Sequence, residues 1–435
     1  RLHRAIGRTL ATAYGAEAVS IAAELAVHFE RGGDIGAALS CLEQAAARAI
    51  QRSAYAEALK HLTTALALAE QCEESPERTR QQLRLQLGLG TALMATRGWA
   101  APEVEQAHLR ARELCEQLGD STRLIMTLWG LIAVSVVRAE LQRTRELSEQ
   151  LLALTREENQ IPFQLAGHME LAGAAFGLGE LALAHEEFAI ADRLYDPAQH
   201  CEHIARTSFD QGVFLRCWWS HLLWQLGRPQ QACAMSSDAL QLARSFGHPF
   251  THAIALSYAA ILQQFLRHTD AAAALAAEAI ELCTEHGFNY YGAWAQIIQG
   301  WCLTQRASTP AGVALISEGI IGLQSARVRR ALPYFNALLA EAHLRRGELD
   351  QMGRAIDAGL AIVRDTGECW WEPELWRLNG ALCIARCEHN TYEAKLSLQK
   401  ALELAERYQS KALKARAAAD LDALGTQPAW PLPAP

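Results

Sequence analysis

Apolar residues recur at three- and four-residue spacing along almost the whole chain, the interval that gathers them on one face of an α-helix. Alanine and leucine dominate, and the β-branched runs that would mark strands are absent. Glycine or a capping residue such as Asp34 punctuates the periodic stretches. The pattern predicts an all-α protein of antiparallel pairs, with helices of roughly 15 to 18 residues joined by tight turns.

In chain order, helices are expected over 1–14, 17–31 and 34–51, the last two paired across Gly32-Gly33-Asp34. Ser53 is the expected N-cap of a helix reaching about Cys72. Pairs follow at 78–97 with 102–118, at 122–138 with 141–157, and at 162–178 with 181–194. An irregular connection at 196–207 interrupts the beat and is the expected flexible point. Helices at 209–226 and 229–246 resume it, and four pairs in close phase then run to about Tyr408, with turns near Arg267, Ala307, Gly347 and Cys387. A more polar helix over 411–424 reads as an end cap, and 425–435 as a disordered proline-rich tail. The expected domains are therefore an N-terminal array over 1–195, the connection over 196–207, a C-terminal array with its cap over 208–424, and the tail. Nine prolines precede the tail, and each can occupy the first turn of a helix, where a missing N–H costs nothing.

From Gly247 to Cys387 the sequence comes into phase with itself. Ala260, Gly300, Ala340 and Gly380 fall 40 residues apart. Gly247, Gly287 and Gly367 make a second comb, with Arg327 in the missing place, and Ala279, Gly319 and Gly359 a third. Small residues at fixed phase mark where stacked helices approach closely, so the architecture is an α-α superhelix of about ten pairs with an inner and an outer face.

Composition narrows the function. Of 435 residues, 50% are hydrophobic, and the formal net charge is −8, with five lysines and no basic run. Nucleic-acid binding by this segment has no electrostatic footprint. The eleven cysteines form no C-x-x-C and read as small buried hydrophobes in a reducing, cytoplasmic setting. No apolar run of membrane-span length is apparent, so no membrane partner is expected. The chain begins at Arg1 within a helical pattern, as a piece of a longer protein would.

Catalytic motifs are missing: no phosphate loop, no G-x-S-x-G and no H-E-x-x-H. His185-Glu186-Glu187 opens like a zinc helix, but Ala189 stands where the second histidine belongs. His200-Cys201-Glu202-His203 and the set Cys383, Cys387 and His389 offer metal-ligating side chains without a converging spacing. No enzyme, metal or cofactor is expected. The aromatics are the stronger lead: Trp218-Trp219, Trp224, Tyr290-Tyr291, Trp294, Trp301, Tyr334-Phe335, Trp370-Trp371 and Trp376 recur in the first helix of each pair. They either wedge between repeats or line the inner face.

The small residue seven positions before each turn, as Ala340 stands before Gly347 and Gly380 before Cys387, resembles the tetratricopeptide repeat, although the period near 40 exceeds that family's 34. In that family the first helices line a concave groove. The resemblance implies groove positions Trp294, Ile297, Trp301, Thr304 and Gln305 around Gly300. It implies Tyr334, Ala337, Glu341, Leu344 and Arg345 around Ala340, and Glu374, Arg377, Ala381 and Ile384 around Gly380. The candidates for partner binding are Trp294, Trp301, Gln305, Tyr334, Glu341, Arg345, Glu374 and Arg377. Such a groove suits an extended peptide or a partner helix, provided that Trp294, Trp301 and Tyr334 are not buried between helices.

Four segments carry a narrower resemblance: Ala23 to Asp34, Gly98 to Val104 running on to Leu118-Gly119-Asp120, Gly247 to Phe250, and Gly367 to Trp376. They resemble the C-terminal helical region of bacterial STAND-type signalling ATPases. That resemblance implies an ATPase and an output domain upstream in the same polypeptide, the output a class III nucleotide cyclase or a winged-helix DNA-binding domain. The array would be a non-catalytic sensor that binds a protein or peptide partner. The alternative is a receptor for a small molecule or peptide, enclosed in an aromatic pocket closed by the Trp218–Trp224 and Trp294–Trp301 clusters.

Overall fold

The computed structural model describes residues 1–52, 54–157, 160–307, 309–387 and 391–426, and among them every regular element is a helix. Ser53, His389 and the tail beyond Thr426 lie outside the described residues. The chain divides into two compact units, 1–137 and 138–435.

The first unit holds α1 (Leu2–Tyr14), a 3-10 stretch (Gly15–Ile21), α2 (Ala22–Arg31), α3 (Ile35–Gln51), α4 (Tyr55–Ala69), α5 (Pro76–Arg97), α6 (Pro102–Leu118) and α7 (Ser121–Val137). The second holds α8 (Leu141–Glu157), α9 (Ile161–Gly177), α10 (Leu181–Leu194), α11 (His200–Thr207), α12 (Gln211–Gln225), α13 (Pro229–Phe246), α14 (Pro249–Phe265) and α15 (Thr269–His286). It continues with α16 (Asn289–Ala307), α17 (Pro310–Ser325), α18 (Leu332–Arg345), α19 (Leu349–Thr366), α20 (Glu372–Arg386), α21 (Thr391–Arg407) and α22 (Lys411–Thr426). All nine prolines ahead of the tail sit at the first or second position of a helix, Pro197 at the start of a 3-10 turn.

The combs have separate physical causes. Gly247, Gly287 and Gly367 end α13, α15 and α19 in the left-handed region, at φ 62°, 73° and 72°, and Arg327 takes the same conformation at φ 59°. That conformation closes a helix, and glycine adopts it without the Cβ clash that Arg327 bears. Gly300 answers a different need: a Cβ there would stand 2.7 Å from the carbonyl oxygen of Gly312 on α17.

The region expected to be an irregular connection is ordered instead. It is a 3-10 turn, Pro197–Gln199, whose Ala198 N–H is capped by Asp196, followed by α11. His203 and Thr207 of α11 are buried, and the Thr207 hydroxyl donates to the Phe209 carbonyl at 3.0 Å. The division of the chain falls ahead of this segment, which lies within the second unit.

In the first unit, Leu25, Phe29, Leu39, Leu42, Leu62 and Leu85 share one core. The helical stretch Leu2–Arg31, 30 residues long with a most apolar window of mean hydropathy 1.3, is long and apolar enough to cross a membrane by length and composition alone. Alanines raise its average without forming an unbroken apolar run: Glu17 and Glu24 interrupt it, and Leu25, Ala26 and Phe29 pack into the unit's core.

In the second unit the two helices of a pair are unequal. Thirteen residues of α14 are buried but only five of α15, so the first helix faces the interior on nearly all sides while the second buries a stripe. The unit closes on itself. The Cys369 N–H donates to the Gly177 carbonyl at 2.8 Å, Arg330 to the Gly173 carbonyl at 3.0 Å, and Gln225 to the Trp370 carbonyl at 3.3 Å. The inner face of this superhelical turn is therefore a core.

Candidate functional site

The interior of the second unit is a continuous run of rings supplied by the first helices and by the turn ahead of α20. Trp224 lies 4.7 Å from Phe265, which lies 4.9 Å from Trp371, which lies 5.0 Å from Tyr334. Tyr258 and Trp294 continue it at 5.3 Å, and Phe214 and Trp218 at 5.0 Å. Edge-to-face and offset pairs of this kind contribute about 0.5–1.5 kcal/mol each beyond their area. Trp294, Trp301 and Tyr334 are 3%, 1% and 0% exposed. The condition for their serving as anchors on an open groove is therefore not met. Because the superhelix closes, side chains directed to its concave side meet each other instead of solvent.

The charged candidates gather at the rim of this interior. Arg267 Nη1 lies 2.5 Å from Glu341, and Gln305 donates to the same carboxylate at 3.4 Å. Arg377 grips Glu374 through Nε and Nη2, both at 2.9 Å, and reaches Asp420 of α22 at 2.6 Å. Arg416, also on α22, stands 3.3 Å from Glu374. Burial alone would push the Glu374 carboxyl up, but Arg377 and Arg416 outweigh it and hold it at about 2, so it is ionised. Burial also pushes Glu341 up, and Arg267 reverses that shift to leave it below the usual range. Arg345 takes another role, donating to the Thr304 and Gln305 carbonyls at the end of α16 at 3.1 and 3.2 Å. Five of the eight candidates thus fall in or beside one ion network, and three are core aromatics.

Arg267, Arg416, Arg330, Glu368 and Glu170 were not among the candidates. Arg267 comes from a turn and Arg416 from the end-cap helix, so neither has a place in the repeat offsets. Arg330 pairs with Glu368 at 3.4 Å and lies 5.1 Å over Trp218. Glu368 also accepts from the Ala331 N–H at 2.9 Å and from the Trp370 indole at 3.1 Å. Beside this pair is a cavity of about 20 Å³ lined by Trp218, Tyr258, Trp294, Tyr334 and Trp370, room for about one water. Glu170, 4% exposed, has one carboxyl oxygen without a donor, and burial, opposed by Arg330, pushes it up to about 8. The indole N–H groups of Trp294, Trp301 and Trp371 and the Gln264 amide nitrogen are buried without acceptors. Each such group costs about 1–3 kcal/mol.

The metal-ligand candidates disperse. His185 accepts from Trp219 at 2.8 Å, while Glu187 turns to His168 at 2.6 Å. His203 is buried 3.5 Å from Asp210, His200 stacks on Phe246, and Cys201 and Glu202 face outward. Among the described residues no group of three or more His, Cys, Asp or Glu side chains could hold a metal ion.

Among the described residues an all-helical stack of helix pairs, closed on itself within the second unit, defines the class: this is a tetratricopeptide-like α-solenoid. Neither a family model nor a curated protein matches the sequence. Among solved structures, the chain is similar to the apo form of the quorum sensor NprR from B. thuringiensis, at 12% identity and TM-score 0.50 over 83% of this chain and 100% of that one. It is also similar to a Rap protein complexed with competence and sporulation factor, at 10% identity and TM-score 0.49, covering 80% and 99% of the two chains. A third is a STAND protein with a tetratricopeptide repeat sensor from Pyrococcus horikoshii, at 12% identity and TM-score 0.44 over 80% of this chain and 50% of that one. At these identities the likeness is one of fold.

Proposed function

We propose that this chain is a non-catalytic sensor and interaction module that binds a peptide or a protein segment at the rim of its second unit and, where the helices part, in its interior. The observation that carries the reading is the joining of an acceptor-poor aromatic interior to a rim of arginine–carboxylate pairs. Three indoles and an amide of this unit are buried without acceptors, donors that a packed core ordinarily pairs. A peptide backbone supplies carbonyls for such donors, and its side chains suit the rings and the rim. The quorum sensor of the same fold supports a signalling role. In the fuller form of this proposal, the module is cytoplasmic and regulates an ATPase and output domain elsewhere in a STAND-type polypeptide. Regulation then requires that the partner bind the resting and active arrangements of that polypeptide with different affinity.

A second reading, an enclosed small ligand, is favoured by the closure of the interior and by the cavity between Trp218 and Trp294. Its volume of about 20 Å³ admits no organic ligand unless the helices part. Selection of random linear peptides on the whole chain separates the two. A peptide consensus that loses binding at least about tenfold in Glu341→Gln and in Trp371→Ala is expected. Failure to enrich any sequence, or binders indifferent to both substitutions, overturns the peptide reading.

A further inference from the structure

Arg416 sits on α22, the helix that caps the second unit, yet its guanidinium points inward to two indole faces, a carbonyl and the Glu374 carboxylate, which it shares with Arg377 and, at 3.7 Å, Arg267. It lies 4.9 Å over the Trp224 ring and 5.8 Å over Trp371. It donates to the Phe265 carbonyl at 2.7 Å and stands 3.3 Å from Glu374. Each contact has its own reason. Indole faces present negative quadrupole density to a cation. Phe265 ends α14, where the following N–H groups of Leu266, Arg267 and His268 bond to Leu262, Gln264 and Gln263. The Phe265 oxygen is thus one of the helix's unshared carbonyls, at the negative end of its dipole.

Each of these side chains has partners besides Arg416. Glu374 keeps its two-bond grip on Arg377, and Phe265 packs against both indoles at 4.7 and 4.9 Å. Arg416 itself is 19% exposed. Two further polar anchors hold its helix here, the hydrogen bond to Gln225 from Ser410, just ahead of α22, and the Asp420–Arg377 pair. The occupant is therefore the replaceable part.

We propose that Trp224, Trp371, Glu374 and the Phe265 carbonyl form a guanidinium-binding site, filled in cis by Arg416 and taken in trans by an arginine of the peptide partner. The inference rests on the peptide-binding reading and sharpens it to an arginine-bearing segment. A planar guanidinium can stack on the indoles while directing separate N–H groups to the carbonyl and the carboxylate; an ammonium cannot do all three.

The test uses the full chain with Arg416→Ala beside wild type, circular dichroism verifying helicity. Both are titrated with N-acetyl-glycyl-arginyl-glycinamide and with its lysine counterpart, followed by tryptophan fluorescence and calorimetry. Removing the cis occupant is expected to tighten binding of the arginine peptide at least about tenfold, with no gain for the lysine peptide. A further Glu374→Gln is expected to abolish the gain. Equal affinity of the arginine peptide for wild type and variant overturns cis occupancy while leaving the peptide-binding reading standing. No binding to a folded variant overturns the site. Should the alanine variant lose helicity, Arg416→Met, which keeps an apolar stem over the indoles, undergoes the same titration.

Discussion

Glu170 turns burial into a pH dependence. Burial, against the pull of Arg330, raises its carboxyl from 4.5 to about 8, so the folded state holds a proton at neutral pH that the unfolded chain releases. A folded-state value above the unfolded one gives stability that is fully present below 4.5 and is lost as pH rises through about 8. The loss is about 1.4 kcal/mol per pH unit within that window. Glu170→Gln, neutral at every pH, is expected to remove this slope, so that urea unfolding at pH 5 and at pH 8.5 gives more similar stabilities than in wild type. An unchanged slope in the variant would assign it to another group. Nothing along the chain marks Glu170, whose surroundings come from helices far away in sequence. Gln305, Glu341, Glu374 and Arg377 could be picked out because each lies at a fixed offset from a small residue in the repeat. Their partners Arg267 and Arg416 occupy a turn and the end cap, where no offset applies. The burial of Trp294, Trp301 and Tyr334 was an open alternative in the sequence, because a ring on the concave side serves a groove or a core according to how tightly the superhelix winds.

At the scale of the element, the sequence was most informative, since helix ends and helix contacts are local. Prolines opened helices where their missing N–H is harmless, and the 40-residue combs coincided with left-handed helix ends and close helix approaches. Arg327 shows why the second comb is incomplete in composition but not in conformation: the backbone needs positive φ there, and an arginine bears it at φ 59°. The sequence over 196–207 reads as irregular because α11 is only eight residues long, too short for its periodicity to stand out. The packing at Gly300 can be tested directly. Gly300→Val would force a Cβ to 2.7 Å from the Gly312 carbonyl and 2.8 Å from Ile316, separating α16 from α17. A loss of about 1–3 kcal/mol is expected in denaturant unfolding. Gly322→Ala, at an exposed position of α17 where a Cβ meets nothing within 4 Å, serves as the control and is expected to be neutral or slightly stabilising. Equal effects at the two positions would mean that the close approach is not what Gly300 provides.

At the largest scale, the closure of the second unit rests on contacts that no local pattern announces, between residues 145 to 192 positions apart. Arg330 is central to it. The guanidinium reaches back to the Gly173 carbonyl, lies over Trp218, and neutralises Glu368, which is itself fully buried. Burial pushes the Glu368 carboxyl up, and Arg330 is the foremost group opposing that shift. Arg330→Met should therefore do more than remove one bond. It leaves a carboxylate at 0% exposure without its cation, a loss of about 3–5 kcal/mol, much of which a second substitution, Glu368→Gln, is expected to recover. The location of the damage matters as much as its size. The Cys369 amide bonds to the Gly177 carbonyl across the same seam, so its hydrogen exchange reports on closure there. In Arg330→Met that amide is expected to exchange faster than the amides of α15 and α17, whose hydrogen bonds are internal to their helices. If the Cys369 amide stays protected while the whole unit loses stability evenly, Arg330 is an ordinary core contact and the seam is held by its other hydrogen bonds and the aromatic packing.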